Sequence, residues 1–366
     1  MNKITNHQLY RLIAAHFLEI IREPSVLFWG IVFPILMAWG LGIAFTQKGE
    51  LTQRVAIIRT EPDIKLSAFL KDHTSHNGNL FKTQLKNKKL GNINLIFEEV
   101  SWPKAFTMLK KGDVNLILEE HLNNVEYHFD PTNADAKLLY QQISNTLKYG
   151  AEYYTNNEAE IKPLTVTGTR YIDFLIPGLL AMGIMMSCTW GISYTLIDRR
   201  SKKLLRRMVA TPMKKSNFLF ALMTARFTMN IVEGGLLYLF AWLYFGIHIQ
   251  GSIPALIAVF IAGNIAFSGM SILISSHTAN PEIGNGLINA IVTPMMVVSG
   301  VFFSYHNFPE WSQPVIQYLP LTMLADSMRS IFNEGAGFTS VVMDTLVLSG
   351  IGAVSFIAGL KIFKWY

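Results

Sequence analysis

Apolar positions in this chain gather into runs too long for the core of a soluble domain. Val26–Phe45, Phe174–Ile197, Ile253–Ser276 and Ile283–Phe303 hold no charged residue over 20, 24, 24 and 21 positions. At about 1.5 Å of rise per residue, roughly 20 apolar residues carry a helix across a ~30 Å hydrocarbon layer. Each run therefore predicts a membrane-spanning helix. Asn217–Ile249 is apolar apart from Arg226 and Glu233, and Val341–Leu360 apart from Asp344, which predicts two more. The first run is longer than the apolar stretch of a secretory signal, so it is expected to remain as a span over 26–46. Ahead of it, Leu9, Leu12, Ile13, the pair His16 and Phe17, Ile20 and Ile21 recur at helical spacing opposite a polar face. Residues 1–25 are expected to form an elbow helix lying along the membrane surface; a short solvent-exposed helix is the alternative.

Between the first two spans the pattern changes. Short strand-like runs at Arg54–Arg59, Asn94–Val100, Val114–Leu118 and Val125–Phe129 mix with helical patterns at Ile64–Lys71, Trp102–Lys111 and from Ala134 to about Asn156. This predicts one α/β domain over 47–170. The Lys- and Asn-rich stretch His73–Gly91 reads as a loop. The rest of the chain, 171–366, holds spans two to six.

Composition sharpens this picture. Of 366 residues, 51% are hydrophobic and 15% charged, against about 25% charged in soluble domains. The net charge is +6, and its excess has an address: eight of the 31 basic residues crowd into loop 198–217 (Arg199, Arg200, Lys202, Lys203, Arg206, Arg207, Lys214, Lys215). A nucleic-acid partner is excluded on that ground. Short Lys/Arg-rich loops stay in the cytoplasm, while long segments translocate largely regardless of charge. Both termini and loop 198–217 are thus expected inside, and 47–170 outside. Cys188 is the single cysteine, so no internal disulfide can form.

Several chemistries lack their residues. The dipeptide Gly-Lys does not occur, so there is no phosphate-binding loop of the G-x-x-x-x-G-K-[ST] kind. H-E-x-x-H, G-x-S-x-G and G-x-G-x-x-G are also missing, and of nine histidines only His73 and His76 lie close together. No catalytic residue, bound metal or bound cofactor is expected on this chain.

Three features remain. In loop 198–217, Leu204, Leu205, Met208 and Val209 fall opposite Arg206 and Arg207, and Pro212 after Thr211 ends the pattern. A short amphipathic helix there suits a groove on a partner, although positive-inside charge alone also accounts for it. In the third span, Arg226, Asn230 and Glu233 share one face at i, i+4 and i+7. Charges at membrane depth cost at least about 2.5–3.5 kcal/mol each and normally face a bundle interior or an aqueous cavity. The stripe is either a substrate path or a structural pair. Asn285 and Asn289 of the fifth span read as interhelical hydrogen-bonding groups. Finally, Pro309, Pro314 and Pro320 break 304–337 into pieces too short for two crossings. That segment is expected to be re-entrant from the outer face, which requires protein to bury its backbone.

The same segment carries a resemblance. At Ser299, Gly300, Phe303, Phe308, Pro309, Trp311, Pro320, Leu321, Asp326 and Arg329 it resembles the signature of the ABC-2 type permease family, the membrane subunits of ATP-binding-cassette exporters. Ser304 stands where that family has proline. Tyr171, Phe174, Pro177 and Gly178 match the start of the family's second span, and Leu205, Arg207, Thr211 and Pro212 keep its loop pattern. The usual acidic motif before that loop is replaced by Arg199-Arg200-Ser201-Lys202-Lys203. The stretches VAIIRTEP, EEVSWPKAFTMLKKGDVNLIL and YHFDPTNADA are similar to the branch with a large external domain.

The resemblance implies a polytopic helical permease with an elbow helix, six spans and re-entrant helices after the fifth. It implies a second permease copy, identical or related, and a separate ATPase subunit that binds ATP and Mg. Loop 198–217 becomes the coupling helix, with Arg199, Arg200, Lys203, Leu204, Leu205, Arg206, Arg207, Met208, Thr211 and Pro212 as candidate contacts. The setting is a bacterial cytoplasmic membrane, the cargo a drug, lipid or similar amphiphile, and a membrane-fusion or other envelope component a further partner. Two other readings stand beside it: a proton-coupled secondary transporter titrating Glu233, and a membrane sensor or scaffold whose external domain binds a ligand.

Overall fold

A computed structural model describes residues 3–46, 51–59, 75–77, 80–85, 93–121, 124–149, 168–210 and 215–365. The chain divides into two compact units, Met1–Gln47 with Val166–Tyr366, and Lys48–Thr165. The first unit begins with helix α1 (Lys3–Ile21). A turn at Arg22–Glu23 leads into α2 (Pro24–Phe45), with Pro24 in the first turn, where a missing N–H costs nothing. Within α2, Phe28–Val32 winds as a single π-helical turn.

The second unit is a six-stranded sheet with a helix against each face. In chain order it comprises β1 (Leu51–Arg59), β2 (Ser75–Asn77), β3 (Leu80–Leu85), β4 (Ile93–Glu99), α3 (Trp102–Lys111), β5 (Leu116–His121), β6 (Asn124–His128) and α4 (Ala134–Tyr149). The spatial order is β2-β3-β4-β1-β5-β6, parallel where β1 pairs with β4 and β5, and antiparallel elsewhere. Alternation along β1 sends Val55 and Ile57 to the α4 side, against Leu139 and Ile143. Ala56 and Ile58 go to the α3 side, against Ala105.

Two strands lie inside the stretch expected to be a loop. Phe81 and Thr83 of β3 are buried, while Leu80, Lys82 and Gln84 are exposed. The period of two was present, but the solvent-facing residues made the whole stretch look polar. The helix expected over Ile64–Lys71 lies outside the described residues, as does the end of the one expected from Ala134 to Asn156.

The first unit resumes with α5 (Tyr171–Ser201), α6 (Leu204–Val209), α7 (Lys215–Phe245), α8 (Ile253–Ile274), α9 (Pro281–Val298), α10 (Gln313–Ile316), α11 (Pro320–Asn333) and α12 (Phe338–Ile362). Four of these helices, α2, α5, α8 and α12, are long and apolar enough to cross a membrane. The other two runs counted as spans, α7 and α9, are helical, but Arg226, Asn230 and Glu233 interrupt one and Glu282, Asn285 and Asn289 the other. α5 is the most enclosed of the four and α2 and α12 the most open. α8 and α12 meet at glycines: a Cβ on Gly352 would fall 2.5 Å from the Ile265 carbonyl oxygen, and one on Gly359 2.9 Å from the Leu273 nitrogen. Such close backbone approach drives helix association where lipid removes the hydrophobic contribution.

Candidate functional site

The polar stripe of α7 is buried: Arg226, Asn230 and Glu233 are 6%, 2% and 7% exposed. Asn230 is the hub. Its Nδ2 donates to Asn264 Oδ1 of α8 at 2.6 Å and to Cys188 Sγ of α5 at 3.4 Å, and Ser268 Oγ donates to the same sulfur at 3.6 Å. The two charged residues are seated on glycines. A Cβ on Gly191 would overlap the Arg226 guanidinium, and one on Gly30 would lie 2.7 Å from Glu233 Cδ. Both glycines sit in π-helical turns, Phe28–Val32 in α2 and Thr189–Tyr194 in α5. Such turns shift a helix face by inserting one residue and recur at functional sites. Here they open room for the two longest polar side chains of the stripe.

Among the described residues, no ion pair joins Arg226 to Glu233. Instead Arg226 Nε, Asn230 Oδ1 and Glu233 Oε1 are buried without a hydrogen-bond partner. Asn230 and Glu233 border a small cleft with Gly30, Pro34, Leu180 and Phe260. Arg226 borders a second small cleft with His16, Glu19, Glu23, Thr195 and Leu222. Asn285 and Asn289 do not act as expected within the chain: among the described residues neither bonds to another helix, Asn285 Oδ1 being unpartnered and Asn289 exposed.

The signature residues and the start of the second span form one junction. Pro177 has no N–H, so the Asp173 carbonyl loses its helical donor, and Asn333 Nδ2 of α11 supplies one at 3.0 Å. Arg329 donates from Nε to the Phe174 carbonyl at 3.2 Å, from Nη2 to that of Gly300 at 2.6 Å, and from Nη1 to Asp326 Oδ1 at 2.8 Å. Its guanidinium lies 3.7 Å from the Phe174 ring centroid. Tyr171 donates its hydroxyl proton to the Phe302 carbonyl at 2.8 Å. Gly178 leaves space for this: a Cβ there would meet the Val301 carbonyl oxygen at 2.9 Å. Gly300 adopts φ +73°, a left-handed conformation suited to glycine.

Ser299 and Leu321 are buried, and Pro320 opens α11. Phe303 stacks near Phe308 at 5.8 Å, and Pro309 precedes Trp311, which is 81% exposed. Asp344, the exception in the sixth run, accepts from Ser327 Oγ of α11 at 2.8 Å.

The basic loop separates into two groups. Arg200 is buried and donates to the carbonyls of Ser275, Thr278 and Lys364, closing the C-terminal end of α8. Arg199 pairs with Glu19 of α1 and reaches His16 Nδ1 at 3.3 Å. Burial beside the Arg199 guanidinium lowers the His16 pKa from 6.5 to about 4, so its imidazole is neutral. These two arginines therefore serve contacts inside the chain. The apolar side of α6 is narrower than its spacing implied: Leu205 is buried and Met208 half-buried, whereas Leu204 and Val209 are exposed with Lys203, Arg206 and Arg207. Thr211 and Pro212 lie outside the described residues. Among the described residues of the sheet unit, Glu119, Glu126 and His128 bring possible metal-ligand atoms within 4.8 Å of one another. His128 Nε2 stands 3.3 Å from the Glu119 carboxylate and 3.8 Å from that of Glu126.

Gly30, Gly191, Asn264 and Asn333 went unmarked in the sequence. Glycine inside an apolar span and Asn264 inside an uncharged run were the available signals.

The linearmycin resistance permease protein LnrN of Bacillus subtilis (strain 168) is 24% identical over 195 residues. That alignment takes in 53% of this chain and 49% of the relative, so the chain spans about half the length of the curated relative it matches. The family model described as ABC-2 family transporter protein matches residues 24–361, enclosing the stripe, the loop and the junction. This chain belongs to the ABC-2 transporter family.

Proposed function

We propose that this chain is the membrane-embedded subunit of an ATP-driven exporter. It would cross a bacterial cytoplasmic membrane six times with both termini inside, and it would move a hydrophobic or amphiphilic compound outward. ATP and Mg would be held by a separate ATPase, and the sheet unit would gate the exit or hand cargo to an envelope component.

The observation that carries the coupling assignment is α6. Leu205 anchors it in the fold, while Lys203, Arg206 and Arg207 face outward with Leu204 and Val209. A mixed basic and apolar face on a short anchored helix fits a groove on a soluble partner. The face of α9 bearing Gly286, Asn289 and Thr293 is exposed, and a small, polar strip of this kind suits helix-to-helix contact with a second permease copy rather than lipid. A resistance permease among the relatives favours outward traffic.

The test is reconstitution with the cognate ATPase in liposomes. Replacing Arg206 and Arg207 by alanine together should reduce substrate-stimulated ATP hydrolysis by about tenfold or more, the equivalent of ~1.4 kcal/mol. Insertion and thermal stability should stay as in the parent. Coupling that survives the double replacement rules out α6 as the docking element. The unpartnered Glu233 Oε1 favours a second reading, proton-coupled transport. Uptake or efflux that persists without ATP and stops in Glu233→Gln would select it.

A further inference from the structure

The cleft between α1, α5 and α7 is built around donors that the protein leaves unanswered. Arg226 is 6% exposed and makes no hydrogen bond among the described residues, and its Nε is buried. A guanidinium carries five N–H donors and remains charged, so leaving it bare at the wall of a cavity is costly unless an anion completes it. His16 is 4% exposed and its Nε2 is likewise unpartnered. His16 Nδ1 lies 3.3 Å from Arg199 Nη2 and 3.4 Å from Glu19 Oε2; taken as the acceptor of the guanidinium, which can only donate, it leaves the ring hydrogen on Nε2. Two donors, each more than nine-tenths buried, thus border one small cleft that opens to the surface.

The acidic residues of the cavity are not equivalent. Glu19 is paired with Arg199. Glu23, at the turn between α1 and α2, borders the same cavity and its carboxylate has no partner among the described residues. The cavity therefore offers one open cation with a second donor, and one open anion. Around the elbow, Leu18, Ile21, Phe28, Trp29 and Val32 are exposed, an apolar surface on which hydrocarbon chains can lie while a polar group enters the cleft.

We propose that this cleft binds the zwitterionic phosphoethanolamine head group of an amphiphile in the leaflet that α1 borders. The phosphate is held by Arg226 and by His16 Nε2–H, the ammonium by Glu23, and the chains by the exposed face of α2. The site concerns equilibrium binding, so it does not depend on the export reading: a failure of ATP coupling in liposomes leaves it standing, and its own failure leaves that coupling untouched.

The experiment is native mass spectrometry of the delipidated full chain in detergent. The titrants are phosphatidylethanolamine, phosphatidylglycerol and the water-soluble head group glycerophosphoethanolamine. Phosphatidylethanolamine should bind about fivefold or more tighter than phosphatidylglycerol, because only the former answers both charges. Glu23→Gln, at an exposed turn, should cut that preference to within about twofold while phosphatidylglycerol binding holds. Arg226→Gln should weaken both lipids by about tenfold or more. Equal binding of the two lipids by the parent, or a preference unchanged in Glu23→Gln, overturns the proposal even if Arg226→Gln fails to fold. Glycerophosphoethanolamine binding as tightly as the lipid overturns the amphiphile assignment and leaves a soluble phosphate ester as the ligand.

Discussion

Replacing Arg329 by methionine keeps a long flexible stem and deletes every donor that knits the second span to the broken segment. Three acceptors lose their partner: the carbonyls of Phe174 and Gly300, and Asp326 Oδ1. Removing one member of a buried charged contact typically costs about 3–5 kcal/mol, and each orphaned buried acceptor about 1–3. The Asp326 side chain is 39% exposed, so water can replace its share. The main loss falls on the two carbonyls, for roughly 2–5 kcal/mol in all. At about 2–4 °C per kcal/mol, the thermal midpoint should drop by roughly 4–20 °C. The assay is loss of the monodisperse size-exclusion peak of the detergent-purified chain after a fixed heating step, with parent and variant treated identically because such unfolding is irreversible. Asp326→Asn is the control and should cost less than half as much. A midpoint for Arg329→Met within about 2 °C of the parent refutes the reasoning. So does an Asp326→Asn variant that falls as far, because the ion pair and not the carbonyl capture would then hold the junction.

The same junction offers a cycle. Asn333→Ala should lower stability by about 1 kcal/mol, and much less when Pro177→Ala restores the helical N–H to the Asp173 carbonyl; additive losses in the double variant would show that Asn333 does not stand in for the proline's missing donor. His16 makes stability depend on pH. Its folded pKa of about 4 lies below the ordinary 6.5, so the unfolded chain takes up the proton first as pH falls. The contribution is complete above pH 6.5 and is lost between 6.5 and about 4, up to about 3 kcal/mol. Thermal midpoints measured across that window should fall more steeply for the parent than for His16→Gln, and parallel slopes would contradict the assignment.

How much of this could be read before the fold was known depends on the range of each interaction. Uncharged runs such as Ile253–Ser276 report local solvent preference, which is additive along a helix, and the structure places helix α8 over that run. The strand β3 was hidden because its solvent face, Lys82 and Gln84, dominates a local average, while Phe81 and Thr83 are buried only through pairing with β4. Arg199 and Arg200 illustrate the opposite error. In sequence they are two more cations of a basic loop, yet Arg200 caps the end of α8 and Arg199 holds α1. Nothing in their neighbours along the chain distinguishes them from Arg206 and Arg207.

The sequence alone determined that this chain seeks lipid, where its charge excess lies, which residues form the polar face of α7, and that the 299–329 segment carries a recognisable pattern. These are properties of composition and period, set by the free energy of each side chain in water or hydrocarbon. Only the tertiary structure decided which groups meet across helices: that Gly30 and Gly191 seat Glu233 and Arg226 in π-helical turns, that Asn333 answers a carbonyl freed by Pro177, and that Arg226 and His16 border one cleft with their donors open. Those partners come from helices separated by tens to hundreds of residues. Hydrogen-bond satisfaction is a short-range requirement in space that leaves no periodic trace along the chain.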